Sequence, residues 1–239
     1  MGRQIQKKFS IPRMNAYNHD QDQYIHNIHE CQRIYLKLNV FEITIRNKIN
    51  QHFVDVIGNK WLLNIEYDRN HAFGHKEKNK KYNISSFDST RSLTGFFVGN
   101  SIYNQVSSAI AQIKKQNQKQ NKSTIMTNDS IVGGLTLGFW SNIFDNTFLK
   151  YYRTFNFPEY KNLLINILGV NPAHIGNLVE INLRINEINS IRDFRNRVFH
   201  YEKILHQVQY NEQLLDKYIQ FLDEDNNLQS FLVKAISHW

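Results

Sequence analysis

Residues that interrupt helices are scarce in this sequence, whose 239 residues include only ten glycines and three prolines. Folds built from many strands need frequent turns, and glycine and proline form a large share of those turns. Apolar residues instead recur at spacings of three and four over long stretches, which is the period of one face of an α-helix. The sequence therefore predicts an all-α fold.

The longest periodic stretch runs from about residue 21 to residue 56. Helices of that length are unusual in globular proteins, so we expect a break near Asn39. Further helices are predicted over residues 101–116, 163–168, 175–198, 203–222 and 228–236. The polar, basic run from Lys114 to Lys122 is typical of a solvated loop, although it could also contact phosphate.

The domain organisation follows from where the helical period is present. Residues 1–20 are basic and irregular and are predicted to form an N-terminal arm. Residues 21–239 are predicted to form a single all-helical domain. Within it we distinguish an N-terminal helical half (21–63), an irregular loop insertion (64–100) and a C-terminal helical half (101–239).

The chain is strongly basic, with a net charge of +8 and a sequence pI of about 9.4. Such a charge favours an anionic partner, either nucleic acid or a membrane surface, and on charge alone nucleic acid is favoured. No stretch approaches the ~20 apolar residues of a membrane span. The alternative is charge that serves only solubility. The basic residues predicted to contact an RNA backbone are Lys7, Lys8, Arg13, Lys78, Lys80, Lys81, Lys114, Lys115, Lys119 and Lys122.

The single cysteine, Cys31, excludes a disulfide framework and a thiolate metal cage, and it suits a cytoplasmic location. It falls on the apolar stripe of the first helix, so we expect it in the core rather than as a nucleophile. The pairs His26/His29 and His71/His75 lack a third ligand, and no phosphate-binding loop occurs. We therefore predict neither a metal nor a cofactor.

One chemical pattern occurs twice, as arginine and asparagine followed by histidine. The N-terminal motif is Arg46, Asn47 and His52, and the C-terminal motif is Arg195, Asn196 and His200. At ~100° per helical residue, Asn196 and His200 would share one helix face, with Arg195 on its flank. Asn47 and His52 are five residues apart, so the N-terminal histidine would lie further from its partners.

These side chains suit phosphodiester chemistry. Imidazole can act as an acid or a base near neutral pH, the guanidinium group is a permanent cation that fits phosphate, and the amide can orient the ring. The alternative is structural: Arg195 would pair with a carboxylate such as Asp193 or Glu202, and His200 would be an ordinary surface residue.

Four segments support a family resemblance. They are Phe9–Met14 with Tyr17, Phe41–Asn47, Leu135–Phe144 with Phe157 and Pro158 downstream, and Arg195–Glu202. In this order they resemble the motifs of the Abi-like abortive-infection proteins (the AbiD/AbiF group) of the HEPN superfamily. The departures are Leu137, where the family usually has an aromatic residue, and residues 64–100, which match nothing in the family pattern.

The resemblance implies an all-helical HEPN-like bundle and a metal-independent endoribonuclease of phage defence or a toxin–antitoxin system. In such enzymes the 2′-OH of the RNA attacks the adjacent phosphate and leaves a 2′,3′-cyclic phosphate and a 5′-OH. The resemblance implies that His200 is the general acid or base, that Arg195 stabilises charge on the phosphorane and that Asn196 positions the site. Some relatives neighbour small structured RNAs, which implies a bound non-coding RNA as inhibitor or guide.

HEPN sites are usually composite, and two arrangements remain open. Two copies of the C-terminal motif could meet in a homodimer, or Arg46, Asn47 and His52 could face the C-terminal motif within one chain. A purely structural role for Arg46 is also open. The alternative function is a non-catalytic HEPN module that binds RNA or acts as a sensor.

Overall fold

The computed structural model describes residues 14–63, 65, 100–121, 126–145, 149, 153, 157–223 and 227–236. Within these ranges the regular structure is helical without strands, which confirms the predicted all-α class. The helices are α1 (Gln21–Ile57), α2 (Asn100–Lys119), α3 (Asn128–Gly134), α4 (Leu137–Asn142), α5 (Phe157–Asn166), α6 (Leu178–Phe199), α7 (Val208–Leu222) and α8 (Asn227–Ile236). A short 3-10 turn, Pro172–His174, precedes α6.

Helix α1 is continuous over 37 residues, so the predicted break near Asn39 is wrong. The side chain of Asn39 donates a hydrogen bond to the carbonyl oxygen of Tyr35, one turn earlier, and does not interrupt the helix. The apolar stripe also stays in register on both sides of this position. Its fully buried members are Ile34, Leu38, Phe41, Ile45, Ile49 and Phe53.

Helix α2 extends beyond the predicted end at residue 116 to Lys119. The basic run that begins at Lys114 was predicted to be a loop, and its described part is helical as far as Lys119. Lysine and glutamine are good helix formers, so the helix continues after the apolar stripe has ended.

The chain divides into two compact units. Unit 1 comprises Met1–Thr44 and Asn186–Trp239, and unit 2 comprises Ile45–Ile185, so the division falls inside α1 and inside α6. Of the predicted arm, only residues 14–20 are described. Met14 and Tyr17 there are buried with Tyr24 of α1, in unit 1.

Ion pairs join α1 and α7 within unit 1. Arg33 donates through Nη1 and Nη2 to the two carboxylate oxygens of Glu212, at 2.7 and 2.8 Å, and Lys37 donates to Glu212 and to Asp216 at 2.7 and 2.9 Å. The hydrogen bonds from Arg33 outweigh burial and, with Lys37, lower the pKa of Glu212 to about 2. Burial alone would lower the pKa of Lys37, but its hydrogen bonds to Asp216 and Glu212 raise it.

Unit 2 contains an aromatic core. Trp61 packs against Phe53, Phe139 and Trp140 at ring-centroid distances of 4.7, 6.5 and 6.2 Å. Helix α2 packs against α3 and α4, and α4 carries Phe139 and Trp140. The matched segment Leu135–Phe144 therefore contributes core residues of this unit.

Candidate functional site

The C-terminal motif lies at the end of α6, in unit 1. Phe194 and Val198 are buried, which turns the opposite side of the last helical turns outwards. Arg195 is partly buried there, and Asn196 and His200 are exposed. Helix α6 ends at Phe199, one residue beyond its predicted end, so His200 follows the helix directly. Its backbone N–H still donates to the carbonyl oxygen of Asn196, at 3.1 Å.

Three contacts hold the Arg195 guanidinium group. Nε donates to Oε2 of Glu42 at 3.1 Å, Nη1 donates to Oδ1 of Asn196 at 3.4 Å, and the group lies 3.8 Å from the centre of the Phe199 ring. Guanidinium carries five N–H donors. Two of them make the hydrogen bonds to Glu42 and Asn196, and the other three have no partner in the described part of the chain. A phosphate can therefore still be bound.

The partner of Arg195 is not one of the carboxylates that the structural alternative named. Asp193 accepts from Nε of Arg192 at 2.9 Å, and Glu202 lies 4.0 Å from Arg197. The partner is instead Glu42, whose side chain is 14% exposed. Sequence reasoning missed this role, although Glu42 belongs to the matched segment Phe41–Asn47.

Helix α6 ends in a Schellman motif that has tyrosine where glycine is usual. The backbone N–H of Tyr201 donates to the carbonyl of Val198, at 3.1 Å, and that of Glu202 donates to the carbonyl of Arg197, at 2.9 Å. These are the two bonds of a Schellman motif, and Tyr201 occupies the position that glycine usually fills. Tyr201 has φ of 50°, in the left-handed region where a side chain costs about 1–2 kcal/mol.

A buried amide fixes the backbone that follows His200. Asn27 of α1 is fully buried. Its Nδ2 donates to the carbonyl oxygen of Glu202 at 2.9 Å, and its Oδ1 accepts from the backbone N–H of Ile204 at 2.8 Å. Asn27 thus holds the loop between α6 and α7, and with it the segment that carries His200.

A pocket of about 240 Å³ lies beside the C-terminal motif, also in unit 1. Its lining residues are Cys31, Gln32, Tyr35, Val198, Phe199 and Tyr201. The rings of Tyr35 and Phe199 stack at 4.6 Å with an interplanar angle of 29°. Cys31 is buried, as expected from its place on the apolar stripe, and burial raises the pKa of its thiol to about 11.

The N-terminal motif lies in unit 2, on α1. Asn47 is exposed, whereas Arg46 and His52 are partly buried. Burial lowers the pKa of His52 against the opposing effects of Glu159 and Asp55. Nε of Arg46 is buried and has no hydrogen-bond partner among the described residues. At ~100° per residue, His52 lies about 120° around the helix from Arg46, so these side chains do not share one face.

Few of the basic residues predicted to contact an RNA backbone fall in the described part of the chain. Lys114 is partly buried on α2, and Lys115 and Lys119 are exposed there, in unit 2. The others, which lie outside the described residues, are Lys7, Lys8, Arg13, Lys78, Lys80, Lys81 and Lys122.

Among the described residues, no group of three or more histidine, cysteine, aspartate or glutamate side chains is placed to hold a metal ion. No described helix has the length and apolar character needed to cross a bilayer.

In comparisons with known proteins, no family model matches this chain, and no curated protein or solved structure is significantly similar to it. The resemblance to the Abi-like proteins therefore depends on the four motif segments alone.

Proposed function

We propose that this chain is an RNA-binding, metal-independent endoribonuclease of the Abi-like HEPN type, acting in the bacterial cytoplasm in phage defence or as a toxin. The observation that carries the proposal is the ion pair between Arg195 and Glu42. These residues lie 153 positions apart, in two of the segments on which the family resemblance depends. The Glu42 carboxylate orients the guanidinium group and leaves donors for a phosphate.

The proposed reaction transfers two protons. The 2′-oxygen forms a bond to phosphorus, its proton passes to a base, the bond between phosphorus and the 5′-oxygen breaks, and that oxygen takes a proton from an acid. His200 performs one transfer, and Arg195 stabilises the charge that builds up on the phosphorane oxygens. The other transfer needs a second group, which a second copy of the C-terminal motif in a homodimer would supply.

The test is cleavage of a labelled structured RNA in excess EDTA by protein freed of bound RNA. We compare the wild type with His200→Ala and with His206→Ala, a matched control at another exposed histidine of unit 1. Loss of a general acid or base reduces the rate by about 10²–10⁴-fold, so His200→Ala should lose cleavage and His206→Ala should keep it. The products should carry 2′,3′-cyclic phosphate and 5′-OH ends. Full activity of His200→Ala would overturn the assignment.

One observation favours the alternative of a non-catalytic RNA-binding module. One face of the Arg195 guanidinium group is covered by the Phe199 ring, whose centre lies 3.8 Å away. A group held in this way is suited to positioning RNA without turnover. Tight binding of the labelled RNA, with no cleavage by wild-type protein under any condition tested, would support this second function.

A bound non-coding RNA is the partner that the proposal adds. The net charge of +8 supports an RNA partner, because basic side chains that neutralise phosphates release counterions. RNA that copurifies with the protein, and whose removal changes cleavage, would identify it as inhibitor or guide.

A further inference from the structure

The pocket beside the C-terminal motif has the chemistry of a site for a planar aromatic group. Three of its six lining residues are aromatic: Tyr35, Phe199 and Tyr201. Tyr35 and Tyr201 are 46% and 42% exposed, although tyrosine buries a large apolar area when it packs in a core. The pocket thus presents ring surfaces to solvent.

Its size narrows the class of ligand. A volume of about 240 Å³ is below the ~300–1,000 Å³ of sites for drug-sized ligands, so the pocket suits one or two fused rings. Its floor, formed by Cys31 and Val198, is buried and apolar, and the raised pKa of Cys31 keeps the thiol neutral. Gln32 is exposed at the pocket and supplies an amide that can donate and accept hydrogen bonds.

The guanidinium group of Arg195 provides a positive charge beside the pocket. The guanidinium group of Arg195 lies 3.8 Å from the centre of the Phe199 ring, and Phe199 also lines the pocket. A ligand that fills the pocket with a flat ring and carries a negative charge next to it matches both features. A nucleotide within an RNA strand has this composition, whereas an apolar peptide side chain offers Arg195 no anion.

We propose that this pocket binds one unpaired base of the RNA strand, by stacking on Tyr35 and Tyr201, next to the phosphate held by Arg195. The inference rests on the proposed function, because the phosphate places the strand beside the pocket. Single-stranded bases are commonly held by aromatic side chains in this way. The pocket then determines which phosphate of an unpaired segment meets His200.

The backbone at Tyr201 supports the same assignment. Glycine would satisfy the Schellman motif without strain, and no hydrogen bond of the motif uses the tyrosine ring. The large side chain at this position is therefore explained by a contact outside the helix end. A stacked base provides that contact.

The experiment measures RNA affinity in a His200→Ala background, so that the RNA is not cut. The probe is a fluorescein-labelled single-stranded RNA, together with a series in which one abasic ribose moves along the strand. Tyr35→Ala removes a ring of the pocket, and Tyr35→Phe keeps it. Tyr210→Ala is the matched control, because Tyr210 is 56% exposed on α7 and does not line the pocket.

Tyr35→Ala should weaken binding about tenfold, within the roughly 5- to 150-fold range of base–aromatic stacking. Tyr35→Phe and Tyr210→Ala should bind as the parent does. One abasic position should weaken binding by the parent and cause no further loss in Tyr35→Ala. Equal affinities of the parent and Tyr35→Ala for intact RNA, with binding by both, would overturn the pocket assignment alone. If the parent binds no RNA at all, both the pocket and the proposed function are overturned.

Discussion

Replacing Asn27 with aspartate is a sensitive test of the loop that carries His200. The two side chains have nearly the same shape, but the amide Nδ2 that donates to the carbonyl of Glu202 becomes an oxygen. The other oxygen can still accept from the backbone N–H of Ile204. An ionised carboxylate would therefore place two acceptors together in a site that is fully buried.

The cost follows from burial. An uncompensated buried charge destabilises a protein by about 3–5 kcal/mol, whereas a protonated carboxyl can donate to the Glu202 carbonyl and restore both hydrogen bonds. The introduced carboxyl should therefore have a pKa well above the ~3.9 of an exposed aspartate, because burial raises carboxyl pKa values by up to ~3–5 units. At low pH the loss should be below about 1 kcal/mol, since two hydrogen bonds of ordinary strength are kept.

The pH dependence has a definite sign. The introduced carboxyl has a higher pKa in the folded state than in the unfolded state, so its full contribution to stability is present only below about pH 3.9. It declines by up to about 1.4 kcal/mol per pH unit as the pH rises, until the folded-state group has ionised. Cys31, which lies 3.6 Å from the amide of Asn27, has a pKa of about 11 and stays neutral over this range.

The assay is urea unfolding followed by the helical signal in far-UV circular dichroism, at pH 5 and pH 8. The unfolding free energy of Asn27→Asp, taken relative to wild type, should fall by about 2–4 kcal/mol between the two values. Asn27→Leu is the matched control, because it removes both hydrogen bonds and should be equally destabilised at both pH values. A loss in Asn27→Asp that does not change with pH would refute the reasoning.

Three further substitutions test other contacts. Tyr201→Gly should raise the unfolding free energy by about 0.5–1 kcal/mol, because relief of the left-handed strain exceeds the entropy cost of glycine, and should weaken RNA binding; a less stable variant would contradict this. Glu42→Gln keeps an acceptor for Arg195 but removes a negative charge, so the slope of log affinity against log salt should steepen by about 0.7, and an unchanged slope would count against a phosphate contact by Arg195. The pKa of Glu212 is depressed to about 2, so its stabilisation is present above pH 4.5 and is lost as the pH falls towards 2. Glu212→Gln should be less stable than wild type at pH 6 and should lose less stability than wild type between pH 4.5 and pH 2. An equal loss of stability in the two proteins over this range would show that the ion pair is absent in solution.

The helical class was predictable because it depends on local information. The apolar spacing and the scarcity of glycine and proline located α6, α7 and α8 to within a few residues. Two errors came from rules about where helices stop, and a third is the helix predicted over 163–168, which begins earlier, at Phe157. Helix α1 passes Asn39 because the buried stripe continues beyond it, and α2 reaches Lys119 because helix propensity does not need an apolar face.

The candidate site was predictable only in its local part. The sequence indicated that Arg195, Asn196 and His200 belong together, because they lie within six residues. It could not indicate Glu42 or Asn27, whose contacts span 153 and 175 residues and depend on how α1 packs within unit 1. Tyr35 lies four residues after the buried Cys31, a spacing that predicts burial, but it is 46% exposed and lines the pocket.

The long separation of these contacts sets the time at which the site forms during synthesis. Asn27 and Glu42 leave the ribosome well before residues 195–204, which they hold. At about 5–20 residues per second, 153–175 residues take roughly 8–35 seconds to add. The growing chain therefore carries α1 for most of its synthesis without the partners of these side chains. The proposed ribonuclease site is therefore complete only after residues 195–204 have been translated and have packed against α1.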